Sequence, residues 1–200
     1  VFKLHTLRFN LNLINKTYLW KIKIKKEAKL GKNLTLTGMM GVGKSTIGKI
    51  LAKKLNYKFV DIDKLIENKE GSTINFIFRN KSENYFRKVE NEITLIELKK
   101  DKSVISLGGG AFLSNSIRKS SKRLSVSFWL DVPIDELIKR LEKSNKRPLL
   151  LKKNTHEEVK KIYFNRKKIY NEADHRIRCS SLKSEEIASR ILNLYEKSGN

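Results

Sequence analysis

Short apolar runs alternate along this chain with longer amphipathic stretches. The apolar runs predict β-strands at 34–37, 57–61, 103–107, 124–131 and 175–178. Between them, apolar residues recur at helical spacing, most clearly over 44–55, 83–100 and 156–173. Strands that alternate with helices indicate an α/β fold, in which a parallel sheet is covered by helices on both faces.

Residues 1–32 differ from the rest of the chain in charge and in pattern. The first 33 residues contain nine Lys or Arg residues and a single acid, Glu27. Alternation of period two in "LRFNLNL" and "WKIKIK" indicates an extra hairpin, and a loose basic tail is the alternative interpretation. We therefore expect a basic N-terminal extension of unknown role over 1–32 and a single domain over 33–200.

The composition narrows the class of protein. The 200 residues suffice for one domain with a full core, and Cys179 is the single cysteine, so no internal disulfide can form. No apolar run approaches the roughly 20 residues that are needed to cross a bilayer. We therefore expect a cytoplasmic protein that has no membrane partner. A monomer is the expected oligomeric state, although no sequence feature indicates it.

The chain is strongly basic, with 44 Lys or Arg residues against 21 Asp or Glu residues and a net charge of +23. Such a charge attracts nucleic acid non-specifically. The basic residues are nevertheless spread along the whole chain, and no basic motif interleaved with aromatic residues is present. This distribution favours a compositional bias over a specific nucleic-acid partner.

The segment "GMMGVGKS", residues 38–45, matches the Walker loop G-x-x-x-x-G-K-[ST] in full. It follows a predicted strand and precedes a predicted helix, which is the context that the motif requires. Its glycines permit backbone conformations in which N–H groups surround phosphate oxygens at a helix N-terminus. Lys44 would reach the β- and γ-phosphates of ATP, and the Ser45 hydroxyl would face Mg²⁺.

Two carboxylates, Asp61 and Asp63, end the second predicted strand in "FVDIDKL". Ligands of open α/β sheets bind at the carboxyl ends of the strands. One carboxylate could therefore serve Mg²⁺ and the other a substrate hydroxyl. A helix N-cap is the alternative role for Asp63, because aspartate caps helices well.

Three further stretches carry candidate substrate groups. Arg87 and Glu90 share a helix face in "NYFRKVENE", and three consecutive glycines, 108–110, end a buried strand. Glycine weakens a strand, so this run indicates a place where a ligand lies against bare backbone. The loop "KRPLL" carries Arg147 between two predicted helices and could close over phosphates as a lid.

Together these motifs resemble those of the shikimate kinase family. The Walker loop, D-x-D, F-R followed by Glu, G-G-G, R-P-L-L and R-x-x-x-Y occur in that order from about residue 33 onward. The resemblance implies a P-loop nucleoside-monophosphate-kinase-like fold, with a five-stranded parallel sheet flanked by helices and a lid at about 142–155. It also implies transfer of the γ-phosphoryl group of ATP to the 3-hydroxyl of shikimate, in the pathway to chorismate and aromatic amino acids.

The resemblance assigns roles to individual residues. Nucleotide binding falls to Gly38, Gly41, Val42, Gly43, Lys44, Ser45, Thr46, Arg140 and Arg147. Mg²⁺ binding falls to Ser45 directly and to Asp61 through water. Shikimate binding falls to Asp63, Phe78, Phe86, Arg87, Gly108, Gly109, Gly110 and Arg166. Lys44, Asp63 and Arg147 are the expected catalytic residues, with Asp63 as the candidate base and Glu90 orienting Arg87.

Two other functions are compatible with part of the sequence. A gluconate-type P-loop kinase would use the Walker loop, but it would leave Arg87, Arg166 and the three glycines unexplained together. A nucleotide-binding regulator associated with nucleic acid would suit the charge, but it would leave the residues on the substrate side without a role.

Overall fold

The computed structural model of the chain describes residues 32–142 and 155–198. Its centre is a sheet of five strands: β1 (Asn33–Thr37), β2 (Lys58–Asp61), β3 (Ser103–Ser106), β4 (Ser125–Asp131) and β5 (His175–Arg178). The strands lie in the order β2-β3-β1-β4-β5, and every neighbouring pair is parallel. The five strands predicted from the apolar runs are confirmed, each with its ends within one residue of the prediction.

Helices connect the strands. They are α1 (Lys44–Leu55), α2 (Ile62–Glu70), α3 (Ile74–Asn80), α4 (Glu83–Leu98), α5 (Asn115–Leu124), α6 (Ile134–Glu142), α7 (Thr155–Tyr170) and α8 (Ser184–Ser198), with a 3-10 turn at Ala111–Leu113. Helices α1, α4 and α7 correspond to the three clearest helical patterns of the sequence. The predicted hairpin within 1–31 and residues 143–154 of the predicted lid lie outside the described residues.

The sheet is covered on both faces, as parallel sheets generally are. Every residue of β1, β3 and β4 is buried. On β1, Leu34 and Leu36 are fully buried among apolar neighbours, whereas Thr35 points to the opposite face. There its hydroxyl lies 3.0 Å from both the Ser121 and Ser125 hydroxyls, so this buried polar group is satisfied.

Asn33 ties the start of the sheet to helix α4. Its Nδ2 donates to the Leu98 carbonyl at 2.9 Å, and its Oδ1 accepts from the Ser103 N–H at 2.9 Å. A buried side-chain amide whose groups are paired in this way fixes the neighbouring backbone. The end of α4 is therefore anchored to β1 and β3, and this anchoring holds the helix that carries Arg87 and Glu90.

The topology directs the candidate residues to one edge of the sheet. The segments that follow β1, β2 and β3 all leave the sheet at its C-terminal edge, where β1 lies between β3 and β4. Crevices for ligands form at this edge where the direction of strand order changes. Within 32–142 and 155–198, no helix combines the length and the apolar character needed to cross a membrane.

Candidate active site

The loop after β1 adopts backbone conformations that its glycines make possible. Gly38, Gly41 and Gly43 have φ values of 134°, 80° and 94°. A methyl group on Gly38 would also lie 2.7 Å from the Leu130 carbonyl oxygen, so a side chain is excluded there on two grounds. Val42, between the glycines, is buried with 2% of its surface exposed, so it can contact a nucleotide only through its backbone.

Helix α1 begins directly after this loop with an N-terminus that no side chain caps. Gly43 occupies the N-cap position, and the first turn has no acidic residue. The Ser45 and Thr46 side chains at this end are exposed. The free N–H groups and the helix dipole suit an anion, and phosphate oxygens bind well at such an end.

Lys44 reaches back across the loop from the first residue of α1. Its ammonium donates to the Gly38 carbonyl at 3.0 Å and to the Met39 carbonyl at 2.9 Å. These bonds hold the positive charge at the entrance of the loop. The charge therefore lies beside the uncapped N-terminus of α1, where the terminal phosphates of a nucleotide would lie.

Ser45 and Asp61 bring together the oxygen atoms that could serve a magnesium ion. The Ser45 hydroxyl donates to Asp61 Oδ2 at 2.6 Å across the gap between α1 and β2. Hard oxygen ligands of this kind suit Mg²⁺, which usually keeps several waters and binds substrate phosphates. The described part of the chain has no group of three or more acidic, histidine or cysteine side chains placed to hold a metal. A hydroxyl and one carboxylate therefore fit an ion that arrives with its nucleotide.

Asp61, and not Asp63, caps helix α2. Asp61 occupies the N-cap position, where its Oδ1 accepts from the Lys64 N–H at 3.4 Å. The alternative interpretation of Asp63 as a helix cap is therefore wrong. Asp63 lies in the first helical turn, half-buried, and its carboxylate lies beside Gly108.

Arg87 on α4 is held by two carboxylates of its own helix. Its Nη1 donates to Glu90 Oε2 at 2.6 Å, and its Nη2 and Nε donate to Glu83 Oε1 at 3.1 and 3.2 Å. The guanidinium also lies over the rings of Phe86 and Phe78, at 5.1 and 6.0 Å from their centroids. These contacts fix the plane of the guanidinium, which remains 31% exposed.

The two phenylalanines support Arg87 from beneath. Their ring centroids lie 4.7 Å apart, with Phe86 buried in the core and Phe78 only partly buried. Phe86 therefore belongs mainly to the core, and Phe78 is the ring with surface left for a ligand.

Glu90 is a buried carboxylate with one satisfied oxygen. Its Oε2 accepts from Arg87, whereas its Oε1 has no hydrogen-bond partner among the described residues. Burial raises the pKa of Glu90, and the Arg87 charge opposes this rise. The nearby Asp63 charge raises the pKa of Glu90 further, which places both carboxylates in one electrostatic environment.

Each glycine of the 108–110 run lies against a different candidate side chain. A methyl group on Gly108 would overlap Glu90 Oε1 and lie 2.7 Å from Asp63 Oδ1, and one on Gly110 would lie 2.6 Å from Arg87 Nη2. At Gly109 the nearest atoms are Met40 N at 3.4 Å and Arg166 Nη1 at 3.8 Å.

Gly108 and Gly110 therefore provide clearance for charged side chains. That a ligand lies against the backbone of this run stays a prediction.

Arg166 reaches the same run from helix α7. Its Nη1 donates to the Gly109 carbonyl at 3.0 Å, and the Tyr170 hydroxyl donates to the same oxygen. Burial raises the pKa of the Tyr170 phenol, so it remains a donor at neutral pH. Arg87 and Arg166 thus lie beside adjacent glycines, and together they can present two guanidinium groups to one anion.

The predicted adenine contact, Arg140, lies apart from this pocket on helix α6. Its Nη2 donates to Glu136 Oε1 at 2.5 Å, one helical turn earlier. Arg140 also lies near Cys179, where its charge opposes the burial that raises the pKa of the thiol to about 12. Cys179 directly follows β5, at one end of the strand order, whereas Arg87 lies on one of the helices that connect β2 and β3 at the other end. Arg147 lies outside the described residues.

Some site residues were not expected from the sequence. Glu83 is the second carboxylate on Arg87, and its spacing of four residues on a predicted helix is a signal that could have indicated it. Asp131 ends β4 and pairs with Arg176 and Tyr163. A carboxylate at the end of an apolar run, as in "SFWLD", could likewise have indicated a polar residue at the C-terminal edge of the sheet.

The family of the chain is shown by its similarity to known proteins. The sequence model that describes shikimate kinase matches residues 40–196. The chain belongs to the shikimate kinase family. The shikimate kinase of Persephonella marina is 42% identical over 161 residues, which cover 80% of this chain and 97% of that protein.

Solved structures agree with the family and with the fold. Shikimate kinase from Acinetobacter baumannii, solved in complex with shikimate, matches with a TM-score of 0.80 at 29% identity, covering 87% of this chain and 98% of that one. A gluconokinase from Sinorhizobium meliloti matches with a TM-score of 0.52 at 16% identity, covering 84% and 98%, and so shares the fold alone. The predicted P-loop nucleoside-monophosphate-kinase-like fold of the shikimate kinase family is confirmed.

Proposed function

We propose that this protein is a shikimate kinase, which transfers the γ-phosphoryl group of ATP to the 3-hydroxyl of shikimate. This reaction belongs to the pathway to chorismate and aromatic amino acids. The observation that carries the proposal is the 108–110 run, where two guanidinium groups and two carboxylates lie together beside a phosphate-binding loop. A substrate with a carboxylate and hydroxyl groups on a small ring matches that set of charges.

Arg87 and Arg166 would bind the shikimate carboxylate. A planar carboxylate accepts paired hydrogen bonds from a guanidinium fork, and arginine provides this geometry while lysine does not. Arg87 is held in place by Glu83 and Glu90 before a ligand arrives, and Arg166 is held by the Gly109 carbonyl. The pocket is therefore organised in advance, which reduces the entropy lost when shikimate binds.

Asp63 would accept the proton of the attacking hydroxyl and orient it. It lies in the first turn of α2, free of the capping role that Asp61 fills, and close to Gly108. General-base assistance contributes about 10²–10⁴-fold to a rate. Phosphoryl transfer has a loose transition state, so positioning of the hydroxyl matters more than the strength of the base.

Lys44 and the phosphate loop would hold the triphosphate of ATP. The N–H groups of Gly41, Val42 and Gly43 and of the first turn of α1 would surround its oxygens, and the Thr46 side chain lies exposed at the same end. Mg²⁺ neutralises charge on the transferring phosphate when it is bound, with Ser45 and Asp61 on the protein side.

We further propose roles for two more arginines and the bounds of the kinase domain. Arg140 would lie against the adenine, Arg147 would approach the phosphates from a lid at about 142–155, and the kinase domain would span 33–200. A cation that arrives only on closure would stabilise the transition state more than the bound substrate, so it would act on kcat.

A coupled assay of ADP release tests the function directly. The panel contains shikimate, gluconate, other hydroxy acids and the methyl ester of shikimate, each with ATP and Mg²⁺. We expect turnover with shikimate, none with gluconate, and a strongly raised KM for the ester, because the ester removes the charge that Arg87 and Arg166 would bind. Turnover with gluconate but not with shikimate would overturn the proposal.

A further inference from the structure

Three polar side chains of helix α7 form one stripe along its inner face. Tyr163, Arg166 and Tyr170 are spaced by three and four residues, which places them on the same side of a helix. Tyr163 and Tyr170 are buried, and Arg166 between them is partly exposed. The two tyrosines therefore flank the arginine that would bind the carboxylate.

Each side chain of this stripe makes a directed hydrogen bond to the sheet edge. Arg166 and Tyr170 both donate to the Gly109 carbonyl, beyond β3. Tyr163 donates instead to Asp131 Oδ1 at 3.0 Å, at the end of β4. Helix α7 is thus attached to the segment after β3 and to the end of β4, and Arg166 lies between Tyr163 and Tyr170 on the helix.

Asp131 is itself held in place. Its Oδ2 accepts from Arg176 Nε at 2.9 Å and Nη2 at 2.6 Å, and Arg176 lies 4.7 Å from the centroid of the Trp129 ring. The Asp131 side chain is only 8% exposed. One of its oxygens accepts from Arg176, and the other accepts from Tyr163. A buried, paired carboxylate is a fixed acceptor, and a bond to it fixes the donor as well.

Helix α7 packs on the core through several apolar side chains. Over residues 156–170, Val159, Tyr163 and Tyr170 are buried, Ile162 and Ile169 are partly buried against the core, and Phe164 is 57% exposed. Apolar packing is not directional, so it fixes the rotation of a helix about its axis less precisely than hydrogen bonds do. The hydrogen bonds of α7 therefore refine its rotation, and the rotation decides where the Arg166 guanidinium lies.

The groups that surround the Tyr163 phenol keep it a donor. Asp131 accepts from it, Arg176 lies behind that carboxylate, and Lys167 lies 5.8 Å from the centroid of the Tyr163 ring. Burial and the bond to Asp131 raise the pKa of Tyr163 to about 12, so the phenol keeps its proton throughout the neutral range.

We propose that Tyr163 is a positioning residue for shikimate binding, which acts by holding helix α7 to Asp131 so that Arg166 faces the substrate carboxylate. The proposal rests on the proposed function. Tyr163 lies one helical turn from Arg166, and its hydroxyl is directed to Asp131, so it would act through Arg166 rather than on the substrate.

The variant Tyr163→Phe tests this role because it removes only the hydroxyl. The ring keeps its packing, and Asp131 keeps both bonds from Arg176, so no charge is left unpaired and the fold should persist. We expect the KM for shikimate to rise about three- to tenfold, because small displacements of a positioning group are costly. The KM for ATP should stay within about twofold, since the phosphate loop is untouched.

Tyr195→Phe is the matched control. Tyr195 is also a buried tyrosine on a helix, and it donates to the Lys32 carbonyl far from the 108–110 run. The Tyr195→Phe variant should have a melting temperature lowered about as much as that of Tyr163→Phe, and its KM for shikimate should be unchanged. If both variants change the KM values for shikimate and ATP alike, Tyr163 is merely structural and the proposal is wrong.

A double-mutant cycle with Arg166→Ala decides whether Tyr163 acts through Arg166. If it does, Tyr163→Phe adds little to the KM for shikimate once Arg166 is absent. Full additivity of the two changes would overturn the proposal. The wild-type assay separates this result from the function itself: no turnover with shikimate rejects both, whereas normal turnover with an unaffected Tyr163→Phe variant rejects only the positioning role.

Discussion

The phosphate loop and the proposed shikimate pocket are built in opposite ways. The loop takes its ligand groups from nine consecutive residues, 38–46, and most of those groups are backbone N–H. The pocket takes its groups from α2, α4, the 108–110 run and α7, and all of them except the glycines are side chains. The loop is therefore specified locally, whereas the pocket exists only if four separate segments pack correctly.

The two regions also differ in how charge is balanced. The loop carries one cation, Lys44, beside an uncapped helix N-terminus, so it has a net attraction for a polyanion. In the pocket, Arg87 is already paired with Glu83 and Glu90. An organised pocket of this kind discriminates between ligands by geometry, because a poorly placed anion cannot compete with the existing pairs.

The largest loss of kcat is expected from a substitution in the phosphate loop. Lys44→Ala removes the charge beside the terminal phosphates, and we expect kcat to fall about 10³-fold or more, because electrostatic stabilisation dominates phosphoryl transfer. Lys49→Ala, an exposed lysine on the same helix, is the control and should leave kcat unchanged. Near-normal kcat in a folded Lys44→Ala protein would refute the assigned role of the loop.

Asp63→Asn should have the next largest effect. The change removes the proton acceptor but preserves shape, so we expect kcat to fall about 10²-fold, with little change in the KM for ATP. Because Asp61 is the residue that caps α2, the melting temperature should hardly move. Full kcat together with an unchanged KM for shikimate would remove Asp63 from both catalysis and binding.

The contrast between the regions also explains what the sequence could predict. The five strands and the phosphate loop depend on local pattern, and both were found within one residue. The sequence left a helix cap open as the alternative role of Asp63, whereas Asp61 is the residue that caps α2. Which of the two faces the Lys64 N–H depends on where β2 ends, and local propensity does not fix that point.

The parts that the sequence did not predict depend on contacts between distant segments. Gly108 must clear Glu90 and Asp63, and the Asp131 carboxylate meets Tyr163 from a position 32 residues away. Distances across the sheet edge follow from packing and not from spacing along the chain. The assignment of the three glycines to the substrate pocket stays a prediction, and the clearance that Gly108 and Gly110 give to charged side chains was not foreseen.

The third largest effect is expected from the two arginines, and it should appear in the KM for shikimate rather than in kcat. Arg87→Ala and Arg166→Ala each remove a hydrogen bond to a charged group, which contributes about 1.5–3 kcal/mol, so we expect roughly a ten- to hundredfold rise in the KM for shikimate. Arg87→Lys should restore only part of the loss, because lysine lacks the fork. Arg79→Ala, an exposed arginine on α3, is the control. Normal shikimate binding by both alanine variants would disprove the carboxylate clamp.

The smallest effect is expected from alanine substitutions at two adjacent glycines. These variants test the physical reason for glycine at the two positions. Gly110 has a φ of −109°, which alanine adopts easily, and neither Gly109 nor Gly110 has a positive φ. Gly110→Ala would place a methyl group against the Arg87 guanidinium, the flexible end of a side chain, whereas Gly109→Ala would make only close van der Waals contacts.

If clearance for Arg87 is the reason for Gly110, Gly110→Ala should raise the KM for shikimate about three- to tenfold, through displacement of the guanidinium. Gly109→Ala should raise it by no more than about twofold, because ordinary contacts relax at little cost. In an Arg87→Ala background the Gly110→Ala effect should disappear, since the obstructing group is gone. The reverse order, with Gly109→Ala the more damaging, would mean that shikimate itself lies against the backbone of the run and that clearance for side chains is secondary.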